Sequence, residues 1–325
     1  MNASTDQIVR MLREREQWVS GEEIGADLGI SRSAVSKHIG LLRDVGYEIG
    51  SSPRRGYIFC AAPNVPTASE VAPLLTTRAL GRPLHYVPEL SSTNTEAARR
   101  AQEGADEGTT IVSESQSAGQ GRLRRDWFSP AGANLYFSVV LRPAVLPGRI
   151  GQLPLVVAVA LLKAFKAFCP DVDAGVKWPN DILVGGRKLC GILCQSESEP
   201  DWVRHVIVGV GINVNIGAFP PELSSIATSL RIETGADASR PALLADVLNA
   251  FEQEYDCWRE AQDLTPFLPF LEAHSLMQGR DAVVKNVRNE ISGRVSGIAP
   301  DGGLQLETEH GSVTAVSGDV TVLGW

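Results

Sequence analysis

Residues 177–193 read KWPNDILVGGRKLCGIL. Pro179 has no N–H to give to a ladder, so it cannot sit in the middle of a central strand, and the chain must bend there. The apolar run AGVKW before it and the runs DILVGG and KLCGILCQSE after it read as strands. A bend that ends a strand sets Lys177, Asn180 and Asp181 at a sheet edge, where ligands often sit, and Lys188 follows on the next strand. One lysine is ordinarily a solvated surface group. Two lysines flanking a Pro-Asn-Asp turn form a pattern suited to stabilising an anionic intermediate.

Outward from this stretch, LHYVPEL, TTIVSESQ, ANLYFSVVL and HVIVGVGINVNI are further strand-like runs. They alternate with the helical stretches TNTEAARRAQEG, IGQLPLVVAVALLKAFKAFC and PALLADVLNAFEQEYDCWREAQ. Mixed strands with helices set between them predict an α+β protein whose central domain, residues 84–274, is a mixed-sheet α/β domain. Residues 275–325 carry the short strand-like runs DAVVKNV, ISGRVSGIAPDGGLQLET and GSVTAVSGDVTVL, which predict a small antiparallel barrel. Residues 63–83 are rich in Pro, Ala and Thr and read as a linker with a short helical piece.

Residues 1–62 form a module of their own. Ile8, Val9 and Leu12 fall at helical spacing. Ser20 precedes a second helix that ends at Gly29, and Ser31 caps a third, SRSAVSKHIGLLRDVG, with Ala34, Val35, Ile39 and Leu42 facing inward. The tight LGIS turn gives helix-turn-helix spacing, and YEIGSSPRRGYIF supplies a β-wing. Ser31, Arg32, Ser33, Ser36, Lys37 and His38 are expected to face outward, with Arg54 and Arg55 on the wing, as groups able to reach base edges or phosphates. A solvated helix face is the plainer alternative. The net charge of −8 excludes a chain built throughout to coat nucleic acid, but Ser31–Cys60 carries five cationic against two anionic side chains.

With 43% hydrophobic and 21% charged residues, the chain is globular. No apolar run has transmembrane length and no signal-peptide layout appears, so a cytoplasmic protein without membrane contact is expected. The five cysteines form no framework, and Cys190 and Cys194 read as core residues rather than zinc ligands. The five histidines are scattered, with no HExxH pair, and no Ser-His-Asp elbow is present. No metal-binding residues are assigned, and a metal hydrolase is not expected.

Two further runs carry chemistry. In SSTNTEAA, residues 91–98, hydroxyls and an amide precede a helix; an N-cap accounts for them, and so does a polar ligand at the helix start. In SQSAGQGRLRRDWFSPAGANLYFS, residues 115–138, Gly119, Gly121 and Gly132 loosen the backbone while Arg122, Arg124 and Arg125 supply positive charge. This suits a loop that closes over phosphates, or equally a mobile surface turn. It is neither a Walker A loop nor a dinucleotide fingerprint. Cationic and small polar groups without a covalent nucleophile fit group transfer through a bound activated intermediate.

Taken in order, SSTN, QSAGQGRLRRDWFSPAGANLYFS, KWPNDILVGGRKLCGIL and GVGIN resemble the biotin–protein ligases, biotin–[acetyl-CoA-carboxylase] ligases of the bifunctional type that also represses biotin synthesis genes. The resemblance spans nearly the whole chain. It implies a winged helix-turn-helix, a ligase domain and an SH3-like barrel. It also implies formation of biotinyl-5′-AMP from biotin and ATP with Mg²⁺, followed by transfer to a lysine of the carrier domain of acetyl-CoA carboxylase. The adenylate would act as corepressor of a homodimer on operator DNA. By resemblance, Lys177 and Arg122 are the catalytic candidates. Ser92, Thr93, Asn94, Gln116, Gly119, Gln120, Gly121, Arg122, Lys188 and Gly191 would meet biotin. Arg122, Arg124, Arg125, Trp127, Asn180, Asp181 and Asn213 would meet the nucleotide. Gln120 stands where the family commonly has arginine, and Asp126 where a basic residue is frequent, which points to weaker hold on ATP or adenylate. A ligand-sensing transcription factor without ligase activity and a lipoate–protein ligase are the alternatives.

Overall fold

The computed structural model describes residues 3–286 and 289–323. Val287, the last residue of the expected strand DAVVKNV, lies outside the described residues, as do Met1, Asn2, Gly324 and Trp325 at the ends of the expected first and last domains. The chain divides into two compact units, Met1–Pro73 and Leu74–Trp325.

The first unit contains α1 (Ala3–Arg15), α2 (Gly21–Leu28), α3 (Arg32–Asp44), β1 (Glu48–Ser52), β2 (Gly56–Ala61) and α4 (Ala68–Val71). Ser20 and Ser31 cap α2 and α3 through the N–H groups of Glu23 and Ala34, as the sequence predicts. Gly25 allows the tight turn between them, since a Cβ there would lie 2.6 Å from the Ile30 carbonyl oxygen. Ile8, Val9, Leu12, Ile24, Val35, Ile39 and Leu42 form the core, with Tyr47 and Ile49 closing it from the antiparallel wing. The expected linker is not free at this end. Glu70 of α4 accepts hydrogen bonds from Arg13 at 2.7 Å and from Tyr47 at 2.6 Å, so residues 68–71 pack on the helical unit.

The second unit contains β3 (Leu84–Leu90), α5 (Thr93–Gln102), β4 (Thr110–Gln116), β5 (Leu135–Leu141), α6 (Leu153–Phe168), β6 (Ala174–Lys177), β7 (Asp181–Val184), β8 (Arg187–Ser198), β9 (Val203–Ile212), α7 (Leu230–Thr234), α8 (Arg240–Ala261) and α9 (Leu268–Ala273). Its seven-stranded sheet runs β3-β4-β5-β9-β8-β7-β6, parallel only between β3 and β4. The stretch Pro147–Phe168, apolar and long enough to cross a membrane, has 72% of its most apolar window buried inside the fold, where α6 packs on α8. Residues 74–83, the other end of the expected linker, belong to this unit: Glu252 of α8 accepts the N–H groups of Arg78, Ala79 and Leu80 at 2.7–3.0 Å.

The remaining strands are β10 (Asp281–Lys285), β11 (Glu290–Ile298), β12 (Leu304–Thr308), β13 (Gly311–Ala315) and β14 (Asp319–Val322). They make an antiparallel sheet in the order β13-β12-β11-β10-β14. These five strands form the small antiparallel domain expected at this end, with β14 paired on β10 and, among the described residues, no ladder between β13 and β14. The KWPND bend ties the two sheets together: the buried Trp178 donates its indole N–H to the Gly302 carbonyl at 2.8 Å. That contact accounts for a tryptophan in this run.

Candidate active site

One face of the large sheet is stripped of side chains where the site lies. Ile207 of β9 packs under α5, and the two-residue period of a strand puts Gly209 and Gly211 on the same face. Gly211 pairs with Gly191 of β8, which widens the bare strip. Side chains from elsewhere fill the freed space. A Cβ on Gly209 would meet Asn94 Oδ1 at 2.0 Å, and one on Gly211 would meet the Trp127 ring at 2.5 Å. A cavity of about 650 Å³ opens over this floor. Its volume falls in the range of small-molecule sites.

The SSTN run lies at one end. Ser92 holds the N-cap position of α5, but its hydroxyl makes no capping bond and lines the cavity. The N-cap reading of this hydroxyl is therefore not what the structure adopts. Thr93 donates its N–H to Gln116 Oε1 at 2.8 Å, and Gln116 Nε2 donates to Ser129 Oγ at 3.1 Å. Asn94 donates to Gln195 Oε1 at 2.8 Å and to the Leu193 carbonyl.

The glycine-arginine loop forms the wall. It closes as a tight hairpin, with Gly121 N–H on the Arg125 carbonyl at 2.7 Å and Trp127 N–H on the Gly119 carbonyl at 2.9 Å. Gln120 and Asp126 pair across it as an isolated bridge. Leu123 and Arg124 at its tip hold left-handed backbone, φ 55° and 58°, a strained state for side chains of their kind. Arg122 reaches inward and donates to Asn180 Oδ1 at 3.2 Å and to the Gly318 carbonyl at 3.1 Å. Arg125 pairs with Asp319. Trp127 lies along the glycine floor, its ring 5.2 Å from Lys188 Nζ and its buried N–H without a hydrogen-bond partner among the described residues.

The turn explains its own polar residues. Asn180 receives Arg122, and its amide N–H binds the Ile192 carbonyl at 2.8 Å. Asp181 pairs with Lys188 at 2.8 Å. Asparagine and aspartate thus aim two cations into one cavity. Burial lowers the pKa of Lys177, with Asp181 opposing that shift. Burial also lowers the pKa of Arg122, against the pull of Asp319 and Asp181. The cavity is lined by Arg122, Arg125, Lys177 and Lys188 against Asp126, Asp181 and Asp319, so it holds an excess of positive charge. Such a site is suited to a ligand whose reacting end is anionic. Among the described residues no group of three or more His, Cys, Asp or Glu side chains is placed to hold a metal ion.

Of the expected residues, Ser92, Thr93, Asn94, Gln116, Gln120, Gly121, Arg122, Arg125, Trp127, Lys177, Asn180, Asp181, Lys188, Gly191 and Asn213 line this one cavity. Two do not. Arg124 is exposed at the loop tip, because its left-handed backbone turns it out of the hairpin. Gly119 is buried behind the wall, where a Cβ would press on Ser129 Oγ at 2.7 Å and on the Trp127 carbonyl at 2.9 Å. The sequence reading missed Asp319, Val320 and Thr321, which β14 brings to the cavity, and Leu223 and Ile226, which cover it from a loop.

On the first unit Ser31, Arg32, Ser33, Ser36 and Lys37 are exposed along α3, and Arg54 and Arg55 on the wing, Arg55 stacked over Trp18 at 4.1 Å. His38 departs from expectation. It is half-buried, with Nδ1 3.0 Å from Thr5 Oγ1, because its position on α3 faces α1 rather than solvent.

Comparison with known proteins matches residues 86–213 to the biotin/lipoate A/B protein ligase family and residues 5–58 to an HTH domain. A bifunctional ligase/repressor BirA of Bacillus spizizenii is 37% identical over 306 residues, 94% of each chain. A biotin–[acetyl-CoA-carboxylase] ligase of Mycobacterium tuberculosis is 34% identical over 74% of this chain and 90% of its own. The structure of the biotin protein ligase of Aquifex aeolicus in complex with biotin and ATP superposes with a TM-score of 0.64 at 30% identity, over 74% of this chain and 97% of that one. A helix-turn-helix unit joined in one chain to a cation-lined ligase cavity, together with 37% identity to a bifunctional ligase/repressor over 94% of both chains, shows that this protein belongs to the bifunctional ligase/repressor family of biotin protein ligases.

Proposed function

We propose that the protein activates biotin with ATP and passes it to a carrier lysine. The biotin carboxylate attacks the α-phosphorus of ATP, the bond to the β-phosphate oxygen breaks, and pyrophosphate leaves. In the second step the ε-amine of a lysine on the biotin carrier domain of acetyl-CoA carboxylase attacks the anhydride carbonyl and AMP leaves. The observation that carries this reading is the meeting of Arg122, Lys177 and Lys188 in one half-buried cavity over a glycine floor. A carboxylate and a triphosphate repel each other, and fixed cations offset that repulsion without reorganising. Lys177 and Arg122 are assigned to the reacting oxygens, Lys188 to the biotin side and Arg125 to the nucleotide side. Mg²⁺ would arrive on the phosphates, since the chain offers no cage of its own among the described residues. Incubation with biotin, ATP and a carrier domain tests the reading: biotinylated carrier and AMP in equal amounts are expected, and absence of both would overturn it. The same assay with lipoate in place of biotin separates the two branches of the matched family.

The lowered pKa of Lys177 carries a pH prediction. The ammonium is the working form, so adenylate formation is full below its pKa and lost as pH rises through it. The alkaline limb of kcat/KM for ATP should therefore fall below the ordinary lysine range, and Lys177→Arg should move it out of reach. An alkaline limb that stays put in Lys177→Arg would assign it to another group.

We further propose that the helix-turn-helix binds operator DNA of biotin synthesis genes as a homodimer, with biotinyl-5′-AMP as corepressor. Two-fold pairing would let two α3 helices read two half-sites. Replacing two exposed cations of α3 (Arg32→Ala with Lys37→Ala) should weaken a gel shift on such a promoter by about tenfold or more and flatten its salt dependence. Biotin transfer should be unchanged. An unaltered gel shift would remove α3 from the interface.

A further inference from the structure

We infer that Ser138, a fully buried hydroxyl on β5, is a positioning residue that turns the Thr93 hydroxyl into a hydrogen-bond acceptor for the cavity, and so selects a substrate ring that carries N–H donors. The inference rests on the biotin reading and deepens it. It follows from counting protons.

Asn94 spends its amide N–H groups on Gln195 Oε1 and the Leu193 carbonyl, which turns its Oδ1 toward Ser138. Ser138 Oγ lies 2.7 Å from that Oδ1 and 2.7 Å from Thr93 Oγ1. An amide oxygen only accepts, so the proton between Asn94 and Ser138 belongs to Ser138. A hydroxyl has one proton. The hydrogen bond between Ser138 and Thr93 must then use the proton of Thr93. The reverse arrangement would leave two buried oxygens at 2.7 Å with no proton between them, a full desolvation penalty.

Thr93 therefore has no proton left for Gln116 Oε1, which is 3.2 Å from its hydroxyl but already receives the Thr93 N–H at 2.8 Å. Ser129 holds the Gln116 amide in that orientation through its Nε2. What remain on Thr93, a residue of the cavity wall, are the two lone pairs of its hydroxyl, which can only accept. A cyclic urea presents N–H groups to such an acceptor. A dithiolane ring has none. A site built to accept from a ring N–H rejects an analogue without it more strongly than an apolar pocket can. The buried serine on the strand behind the wall thus sets ring specificity without touching the ring.

The test is a titration of the full chain with biotin, for the wild type, Ser138→Ala, Thr93→Val and the double variant. Ser138→Ala frees the Thr93 proton and should weaken biotin binding by about ten- to hundredfold, the loss expected from leaving one buried polar partner unmatched. ATP affinity should be unchanged. On the Thr93→Val background the Ser138→Ala change should cost nothing further, since it acts through Thr93. Ser138→Cys, which keeps a weaker donor on a somewhat larger side chain, should fall between wild type and alanine, and it carries the comparison if the alanine variant does not fold. Unchanged biotin affinity in a folded Ser138 variant, or losses that simply add, would overturn the inference. A wild-type chain that binds no biotin would instead sink the ligase reading on which it rests.

Discussion

Lys177→Ala is expected to slow formation of biotinyl-5′-AMP by about 10²–10³-fold, the range for removing one preorganised charge from a reacting oxyanion. Lys177 ends β6, one residue before the Trp178 that anchors the bend to Gly302. The variant removes the charge and keeps the anchor, so it should remain folded, with its unfolding midpoint near that of the wild type. Pyrophosphate release in the presence of biotin and ATP reads the effect. Lys188 is expected not to compensate, because it is already committed to Asp181 at 2.8 Å. Turnover equal to wild type would remove Lys177 from the reacting centre.

The second large effect concerns retention rather than synthesis. Arg122 bridges the loop to Asn180 on the bend and to the Gly318 carbonyl at the start of β14. It is the arm by which the hairpin of Gly121–Arg125 is held over the cavity. Arg122→Gly deletes both bonds and the charge, and adds backbone freedom beside a tip already strained at Leu123 and Arg124. The hairpin should then open, and the reactive adenylate should leave about ten- to hundredfold faster, as expected for losing a charge-assisted pair. Free adenylate acylates any accessible amine, so unrelated proteins added to the reaction should become biotinylated. If label stays confined to the carrier domain, the loop does not hold the intermediate.

Much of this was legible in the sequence because the signals were local. Ser20 and Ser31 cap their helices through residues three positions on, and Pro179 bends the chain between β6 and β7. The KWPND run showed where the cations would stand, though not why asparagine and aspartate accompany them; each turned out to hold one cation of the cavity. What stayed hidden depends on contacts far apart in the chain. Asp319 meets Arg125 from a strand almost two hundred residues later, and nothing in VSGDVTV marks it as a pocket residue. His38 looked like part of the outward face of α3, but helical pitch carries it round to Thr5 of α1. The linker reading of residues 63–83 rested on composition, which does not register that Glu70 and Glu252 each tie down one half of it. The glycines at 209 and 211 did carry a signal that was open to reading: spaced by two on a strand, they bare a single face.

The most direct measurement is a crystal structure of the protein with bound biotinyl-5′-AMP. The guanidinium of Arg122 and the ammonium of Lys177 should lie within about 2.7–2.9 Å of phosphate or carbonyl oxygens of the anhydride, as for charge-assisted bonds, with Lys188 beside the biotin end. An adenylate bound elsewhere, or in this cavity with those three side chains turned to solvent, would contradict that placement.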